Sequence, residues 1–223
     1  MGSTLRGYLR GEKTEVEYLA AVDAMSRFRA QFAGPLGKVN VGLRQFGVTL
    51  DLDDITVTQR LKREETIIEK LTQRETSMNL ATMQDIGGCR VVVDTLGNLR
   101  RFEAHVRKRW GQSFAGEPYD YIEHPRPSGY RAVHIVVSRD NYPIEIQLRT
   151  KDQHLWAQTV ESFNGLLGQN YKQEGDHDVQ ELMALISQMQ QAAERGEEIS
   201  TEKLREMRRL RDRVFELLAA EGR

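Results

Sequence analysis

The sequence predicts an α/β fold, with α+β character, in which a mixed β-sheet of about five strands is flanked by helices. Two neighbouring runs, residues 130–138 and 143–150, alternate apolar with polar side chains as half-buried strands do. Longer segments on both sides of them repeat apolar residues at steps of three and four, which is typical of amphipathic helices. We therefore divide the chain into an N-terminal helical segment (1–50), a core (51–172) and C-terminal helices (173–223).

The composition fits one domain with a real core and attached helices. The chain has 223 residues and a formal net charge of -1, so it lacks the overall basic field of a dedicated nucleic-acid binder. Its single cysteine, Cys89, excludes a disulfide framework and a cysteine-rich zinc site, and it lies in an apolar run typical of burial. No apolar stretch approaches the roughly 20 residues that a membrane span needs, and the N-terminus lacks a signal-peptide core. We therefore expect a soluble, cytoplasmic protein with no membrane partner.

The first part of the chain predicts one clear helix. Apolar side chains recur at steps of three and four through residues 12–32. The run Gly34-Pro-Leu-Gly37 is expected to end that helix. Residues 40–54 are ambiguous, because their scattered apolar side chains fit either a short strand or a turn.

Residues 56–60 lead into a helix that is predicted over 64–76. Basic side chains gather at the entry of this helix and along one of its faces: Arg60, Lys62, Arg63 and Lys70. From the residues alone, pairing with the glutamates that lie four positions away is the favoured explanation of these charges.

Residues 85–94 predict a strand that is entered through two glycines. Glycine lets a backbone approach a ligand closely. The run nevertheless lacks the Gly-Lys-Ser/Thr ending of a phosphate-binding loop and is not a dinucleotide-binding fingerprint. Asp85 lies at the mouth of the strand, where α/β sheets usually carry functional groups. A helix follows over 96–110, and its outward basic face is either solvated or meets phosphate.

The two central runs present an unusually polar face. In the second run Glu145, Gln147 and Arg149 share one side, because side chains alternate across a strand. In the first run Tyr130 and His134 share a side. A row of carboxylate, amide and guanidinium is costly on a sheet unless the face is wet or binds something. The pattern fits either the floor of a nucleotide site or an antiparallel sheet with one solvated face.

The rest of the chain is mainly helical. Residues 114–122 predict a connector or short strand, and helices are predicted over 151–167, 179–194 and 202–220, with a polar loop over 171–178. The last helix keeps the three-four spacing that lets a helix pack on its own domain or on a partner helix. It could therefore support self-association into a homo-oligomer.

Several motifs occur in the same order and with the same spacing as in a known family. They are Arg60-Leu-Lys62 with Thr66 and Lys70, then Gln84-Asp-Ile-Gly-Gly-Cys-Arg90, then Pro125-Arg-Pro-Ser-Gly-Tyr-Arg-Ala-Val-His134, and finally Glu145-Ile-Gln-Leu-Arg-Thr150. In this respect the chain resembles the synthetase domain of the RelA/SpoT family of alarmone synthetases over residues 60–172. The family usually has serine where this chain has Thr66, and the hydroxyl is kept.

The resemblance implies a nucleotidyltransferase-like fold and transfer of the β,γ-pyrophosphate of ATP to a ribose 3′-hydroxyl. The acceptor would be GDP or GTP, giving (p)ppGpp. Magnesium prefers a few carboxylate oxygens together with phosphate oxygens, so Asp85 and Glu145 are the candidate metal ligands and catalytic residues. Glu145 is also the candidate base for the attacking hydroxyl. The ATP-binding candidates are Arg60, Lys62, Thr66, Lys70 and Arg90. The acceptor-binding candidates are Tyr130, His134, Arg126, Gln147 and Arg149.

One departure from the family pattern points to a different acceptor. After the Arg-Thr motif the small housekeeping synthetases usually have Trp-Ala followed by Glu-His. Here Trp156-Ala157 is followed by Gln-Thr-Val-Glu-Ser162, with Gly165-Leu-Leu-Gly-Gln169 after it, which looks more like the toxic branch of small synthetases. That resemblance implies the 3′ adenosine of tRNA as an alternative acceptor and a separate antitoxin protein as a partner. Basic residues outside the core would hold a tRNA stem or be ordinary surface charge: Arg6, Arg10, Arg27, Arg29, Lys38 and Arg44.

Two further functions are compatible with the sequence. One is a catalytically inactive relative that binds nucleotide or a partner protein through its terminal helices. The other is an unrelated nucleotidyltransferase that uses the same arrangement of two carboxylates. The presence of Asp85, Glu145 and Tyr130 together with the basic set argues against an inactive relative, which need not keep all of them.

Overall fold

The computed structural model describes residues 1–74, 77–167 and 178–220. Within them, five strands form one mixed sheet flanked by helices, which confirms the predicted fold class. The strands are β1 (Ile55–Leu61), β2 (Gly87–Val93), β3 (Tyr119–Asp120), β4 (Val133–Arg139) and β5 (Tyr142–Thr150). Their order across the sheet is β1-β2-β5-β4-β3, so β2 lies beside β5 although β3 and β4 come between them in the chain.

Eight α-helices lie in the described ranges. They are α1 (Gly2–Leu9), α2 (Glu15–Ala30), α3 (Ala33–Thr49), α4 (Glu64–Glu69), α5 (Leu96–Trp110), α6 (Lys151–Leu167), α7 (Asp178–Glu194) and α8 (Thr201–Ala220). The polar loop predicted over 171–178 and the core boundary predicted at residue 172 fall outside the described residues, except for Asp178, which begins α7. None of the helices described is long and apolar enough to cross a membrane.

The chain is organised in two compact units, each built from segments that are distant in sequence. Unit 1 consists of Met1–Val91, Arg101–Pro118 and His134–Gln147. Unit 2 consists of Val92–Arg100, Tyr119–Val133 and Leu148–Arg223. The candidate site residues fall into both units, and the residues of each unit are described separately below.

The N-terminal segment differs from the prediction. Helix α2 begins at a capping box in which Thr14 and Glu17 exchange hydrogen bonds. Helix α2 ends at Ala30, near the predicted helix end. A second helix that the sequence does not predict, α3, begins at Ala33 and runs through 34–37 and through most of 40–54, where a strand or turn is predicted. Pro35 is tolerated because it is the third residue of α3, where a backbone N–H has no partner within the helix. The sequence does not predict the short helix α1.

Helix α3 packs through a face of small and apolar side chains. Leu36, Val39 and Leu43 are fully or almost fully buried. Gly42 makes room for a ring, since a Cβ at this position would lie 2.5 Å from the side chain of Trp110. The buried Cys89 thiol belongs to the same core, as predicted, and burial raises its pKa to about 12 although the amide of Asn40 lowers it. A thiol in this state is an inert packing group.

The central hairpin matches its prediction except at its start. Strand β4 begins at Val133, so Tyr130, which alternation places on the side of His134, lies in the loop before the strand and not on it. The apolar sides of β4 and β5 are buried: Val133, Ile135, Val137, Ile144, Ile146 and Leu148. Two residues, Asp140 and Asn141, connect the strands with positive φ angles of 53° and 66°, as a type I′ turn requires. This turn fixes the register of the hairpin, and so the side of the sheet on which His134 and Glu145 lie.

Helices α6, α7 and α8 form the core of unit 2. Their mutual faces bury a single cluster: Trp156, Ala157, Val160, Val179, Leu182, Met183, Leu185, Leu210 and Val214. The bounds of α5 and α6 agree with the predicted ranges, and α7 and α8 each begin one residue earlier than predicted. The strong three-four spacing of these segments explains why their bounds could be predicted.

Candidate functional site

A group of polar side chains in unit 1, here called the carboxylate cluster, surrounds Asp85 and Glu145. Asp85 lies just before β2 and Glu145 lies on β5, and these strands are neighbours in the sheet. The two carboxylates are close enough for the charge of Asp85 to raise the pKa of Glu145. The other members of the cluster are Lys62, Lys70, His134 and Gln147.

Asp85 is held by two lysines. Its Oδ2 accepts hydrogen bonds from Lys62 Nζ at 2.8 Å and from Lys70 Nζ at 3.2 Å. Burial raises the pKa of Asp85, but the hydrogen bonds and charges of the two lysines outweigh that effect and hold the pKa below its usual value. The other oxygen, Oδ1, is buried and accepts no hydrogen bond within the described part of the protein. A buried carboxylate oxygen in this state is suited to bind a cation or a donor group.

Glu145 is held from both sides by neutral or titratable donors. His134 Nδ1 lies 2.9 Å from its Oε1, and the amide of Gln147 donates to its Oε2 at 2.9 Å. Burial raises the pKa of Glu145, yet the hydrogen bond and charge of His134 and the hydrogen bond of Gln147 outweigh the burial. The net pKa lies below its ordinary value, so Glu145 is ionised near neutral pH.

Local backbone structure brings the two lysines to Asp85. Lys62 follows β1, and its backbone N–H donates to the carbonyl of Ile86 at 2.8 Å, which ties the end of β1 to the entry of β2. Lys70 opens a π-helical turn, Lys70–Arg74, at the end of the short helix α4. Single π-helical turns are rare and frequently occur at functional sites.

The carboxylate pair fits a magnesium ion. The unpartnered Oδ1 of Asp85 and the nearby carboxylate of Glu145 supply hard oxygen ligands, and a triphosphate would supply more. Lys62 and Lys70 now neutralise Asp85, and they would be released for phosphate when a cation takes their place. Asp85 and Glu145 are therefore the residues of this chain that would hold the metal.

The remaining ATP-side candidates lie on elements next to the carboxylate cluster. Arg60 is exposed on β1 and Arg90 is half-buried on β2, the neighbouring strand. Thr66 is half-buried on α4, one helical turn before Lys70. Gly88 lies opposite Glu145, since a Cβ at Gly88 would be 3.8 Å from the Glu145 carbonyl oxygen. Arg90 follows Gly88 on the same half-exposed side of β2.

Three acceptor-binding candidates, Arg126, Tyr130 and Arg149, form a second group in unit 2 together with Tyr121 and Trp156, here called the tyrosine cluster. The other two candidates, His134 and Gln147, lie in the carboxylate cluster, where they contact Glu145. Arg149 donates to the hydroxyl of Tyr130 at 2.8 Å, and its guanidinium carbon lies 5.1 Å from the ring centroid. Trp156 meets the same ring edge-on at 6.3 Å. The ring of Tyr130 is therefore fixed in orientation by its neighbours.

Arg126 and Arg149 differ in their surroundings. Arg126 is exposed, stacks over Tyr121 at 4.5 Å and donates to the Tyr121 hydroxyl at 2.8 Å. Arg149 is only 3% exposed, because the last residues of β5 are buried on both sides. The alternation pattern groups Arg149 with Glu145 and Gln147, whereas the structure uses it to support Tyr130.

Sequence reasoning misses two members of the tyrosine cluster. It assigns Trp156 only to helix packing, although its ring also contacts Tyr130. It assigns Tyr121, which precedes the Pro-Arg-Pro-Ser-Gly-Tyr motif, to a connector, although Tyr119 stacks on it at 6.1 Å. The alternation of tyrosines at 119 and 121 is the available signal.

The basic residues considered for a tRNA stem are each engaged within unit 1. Arg6, Arg29 and Arg44 donate to backbone carbonyls at Leu71, Lys62 and Val57 respectively. Arg10, Arg27 and Lys38 form exposed ion pairs with Glu12, Asp23 and Asp140 respectively. These contacts favour structural and ordinary surface roles for this set.

Comparisons with known proteins identify the family. Residues 59–176, just over half of the chain, match the family model described as a region found in RelA/SpoT proteins. The probable chloroplastic GTP diphosphokinase RSH2 of Oryza sativa subsp. japonica is 34% identical over 130 residues, which are 58% of this chain and 17% of that protein. The chain thus spans about a sixth of the length of this curated relative.

Solved structures agree with this match. The small alarmone synthetase 1 from Bacillus subtilis superimposes with a TM-score of 0.64 at 25% identity, over 87% of this chain and 99% of that one. The same protein bound to its product pppGpp gives a TM-score of 0.65 at 23% identity, over 83% and 97%. Because the family model covers just over half of the chain, the chain belongs to the RelA/SpoT family, and the matched region contains Asp85, Glu145 and Tyr130.

Proposed function

We propose that the protein is an ATP-dependent 3′-pyrophosphokinase that transfers the β,γ-pyrophosphate of ATP to the ribose 3′-hydroxyl of GDP or GTP. The observation that carries this proposal is the carboxylate cluster, in which Asp85, just before β2, and Glu145, on the neighbouring strand β5, lie beside two lysines. The rice relative is named as a GTP diphosphokinase, which supports a guanosine acceptor.

The ATP side of the reaction uses the cations of unit 1. Lys62 and Lys70 leave Asp85 and neutralise phosphate oxygens, because a triphosphate carries more charge than the single carboxylate they now share. Arg60 and Arg90 are planar cations on neighbouring strands and are suited to stack on the adenine. The hydroxyl of Thr66 supplies one more donor at the start of α4.

Magnesium, when bound by Asp85 and Glu145, would neutralise the charge that develops on the transferred group. The acceptor 3′-oxygen attacks the β-phosphorus, the bond from that phosphorus to the α,β-bridging oxygen breaks, and AMP leaves. The proton of the hydroxyl passes to the Glu145 carboxylate and then to solvent. Because the pKa of Glu145 lies below its usual value, this carboxylate acts mainly by orienting the hydroxyl until its proton becomes acidic in the transition state.

His134 and Gln147 position Glu145. Each donates to a different carboxylate oxygen, so rotation of the carboxylate is restrained from both sides. Phosphoryl transfer depends mainly on positioning and charge neutralisation, so this restraint contributes directly to rate.

The acceptor side uses the tyrosine cluster. Tyr130 presents an aromatic ring that its neighbours fix in orientation, and such a ring is a stacking platform for a purine. Arg126 adds an exposed guanidinium beside it, at 5.9 Å from the Tyr130 centroid. This charge is suited to the acceptor phosphates.

The test is to incubate the protein with ATP labelled at the γ-phosphate and to offer GDP, GTP, ATP or deacylated tRNA in turn, with and without magnesium. We expect label in ppGpp and pppGpp, release of AMP, and no transfer without the metal. Label in tRNA alone would overturn the acceptor while keeping the reaction. Label in no acceptor would reject the enzyme and leave the inactive, nucleotide-binding relative as the explanation. Glu145→Gln is the matched control for contaminating kinases.

A further inference from the structure

Helix α7 makes a series of contacts with the loop that carries Tyr130. The hydroxyl of Ser187 donates to the Gly129 carbonyl at 2.5 Å, and both groups are buried. Arg131 donates to Glu194 through both terminal nitrogens, at 2.5 Å and 3.2 Å. These two contacts lie about two helical turns apart on α7. They hold the residues on both sides of Tyr130, Gly129 before it and Arg131 after it.

Close packing supports the hydrogen bonds. Gly129 has a φ angle of 88°, and a Cβ there would lie 2.9 Å from both the Ala184 Cα and the Ser187 Cβ. Glycine is therefore required twice, for its backbone conformation and for its approach to α7. The indole nitrogen of Trp156, which also contacts the Tyr130 ring, donates to the Met183 carbonyl at 2.6 Å. A single turn of α7, from Met183 to Ser187, thus contacts both the backbone of the loop and Trp156, which packs against the Tyr130 ring.

The Arg131–Glu194 pair is unusually well shielded. Its side chains are 2% and 14% exposed, and the geometry is bidentate. Several ion pairs of this protein, such as Lys38–Asp140, are exposed and contribute little to stability. Removal of one partner from a buried pair leaves an uncompensated charge, so Arg131 would pull its segment toward another arrangement.

We propose that α7 is a positioning element for acceptor binding, with Ser187 and Glu194 as its positioning residues. The inference rests on the proposed function, because it assumes that the acceptor base stacks on Tyr130. The loop around Tyr130 has an arrangement that can bind the acceptor, and α7 stabilises this arrangement through the contacts of Ser187 and Glu194. When that arrangement is populated only fractionally, the apparent affinity for the acceptor falls by the same fraction. The residues assigned to ATP lie in unit 1 and take no part in these contacts, so we expect ATP binding to be left largely unchanged.

The experiment compares Ser187→Ala and Glu194→Gln with the wild type and with Glu181→Gln. Glu181 lies on α7 with a side chain that is 59% exposed, so its variant is a matched control on the same helix. Initial rates are measured against GDP at saturating ATP and against ATP at saturating GDP. If the wild type labels only tRNA, deacylated tRNA replaces GDP. Thermal unfolding of each variant is recorded beside the kinetics.

We expect KM for the acceptor to rise about tenfold in Glu194→Gln and by a smaller factor in Ser187→Ala, since hydrogen bonds to charged groups are the stronger ones. KM for ATP and kcat at saturating acceptor should stay within about twofold of the wild type. Equal effects on both KM values, or a fall in kcat without a change in acceptor KM, would overturn the proposal, as would wild-type kinetics in a folded Glu194→Gln variant. If Glu194→Gln does not fold, the milder Ser187→Ala decides by the same criteria. A wild type that labels no acceptor refutes the proposed function itself, and this inference with it.

Discussion

The carboxylate cluster and the tyrosine cluster solve different physical problems. In the carboxylate cluster, half-buried charges of both signs lie together and shift the pKa of both carboxylates. In the tyrosine cluster, a guanidinium group lies over the face of the Tyr130 ring and two other rings contact it edge-on. These contacts fix the orientation of the Tyr130 ring. We therefore expect catalysis to be sensitive to changes of charge in the carboxylate cluster and to changes of side-chain shape in the tyrosine cluster.

The largest expected effect is at Glu145. Glu145→Gln keeps the size of the side chain and removes the charge that orients the hydroxyl, so we expect kcat to fall by about a thousandfold or more. The fold should be retained, because glutamine can still accept from His134 or Gln147 through its carbonyl oxygen. Steady-state transfer from labelled ATP checks the rate, and circular dichroism checks the fold. Full activity would remove Glu145 from the mechanism.

The second largest effect is expected at Tyr130, where activity should depend on the aromatic ring and not on a charge. Tyr130→Ala removes the stacking surface, and we expect kcat/KM for the acceptor to fall by about 5- to 150-fold, since stacking on an aromatic side chain is worth about 1–3 kcal/mol per base. Tyr130→Phe is the matched variant, because it keeps the ring and loses only the hydroxyl that Arg149 binds. It should retain most of the activity. An alanine variant as active as the phenylalanine variant would exclude stacking at this position.

The stability of the folded protein at acidic pH tests the carboxylate cluster without any substrate. The pKa of Asp85 and of Glu145 lies below its ordinary value in the folded protein, so each group stabilises the fold above its unfolded pKa of about 4. That contribution is lost as the pH falls through the folded pKa. We therefore expect Asp85→Asn to lower Tm at pH 7, and the difference from the wild type to shrink below about pH 4.

Thermal unfolding between about pH 3 and pH 7 measures this difference. The exposed Asp53 offers the control, since an exposed Asp53→Asn change should alter Tm at pH 7 much less than Asp85→Asn does. A difference for Asp85→Asn that stays constant across the range would show that the lysine contacts do not stabilise the folded protein through the charge of Asp85.

The smallest expected effect is at the surface of unit 1. Lys38 and Asp140 form an exposed pair with side chains 63% and 43% exposed, so Lys38→Ala should change the free energy of unfolding by less than about 1 kcal/mol. Transfer to GDP should be unchanged. If deacylated tRNA proves to be the acceptor and Lys38→Ala weakens its use, the assignment of this residue to ordinary surface charge is wrong.

Several elements could be predicted from sequence because their side chains repeat regularly. Helices α5 and α6 show a sustained three-four spacing, and the central hairpin shows strict alternation. Strand β1 escapes prediction because it lies at the edge of the sheet, where Val57 is its one buried residue and alternation carries no signal. Helix α3 is obscured by glycine and proline that its first turn tolerates.

The site is predictable in its residue types and not in its contacts. Motif order brings Asp85 and Glu145 together as candidates, but no spacing rule signals that Lys62 and Lys70 both donate to Asp85. Alternation assigns Arg149 to the face of Glu145, yet alternation ends where β5 enters the core. The role inferred for α7 depends on contacts across more than fifty residues of sequence, which periodicity cannot indicate.

The central claim is that Asp85 and Glu145 together bind one metal ion. The most direct test is a double-mutant cycle in which transfer to the acceptor is measured for Asp85→Asn, Glu145→Gln and the variant carrying both changes. Residues that act as a unit have strongly non-additive effects. We predict that the double variant transfers pyrophosphate about as fast as the less active of the two single variants. A double variant whose loss equals the product of the two single losses would show that the carboxylates act independently, and would contradict the shared site.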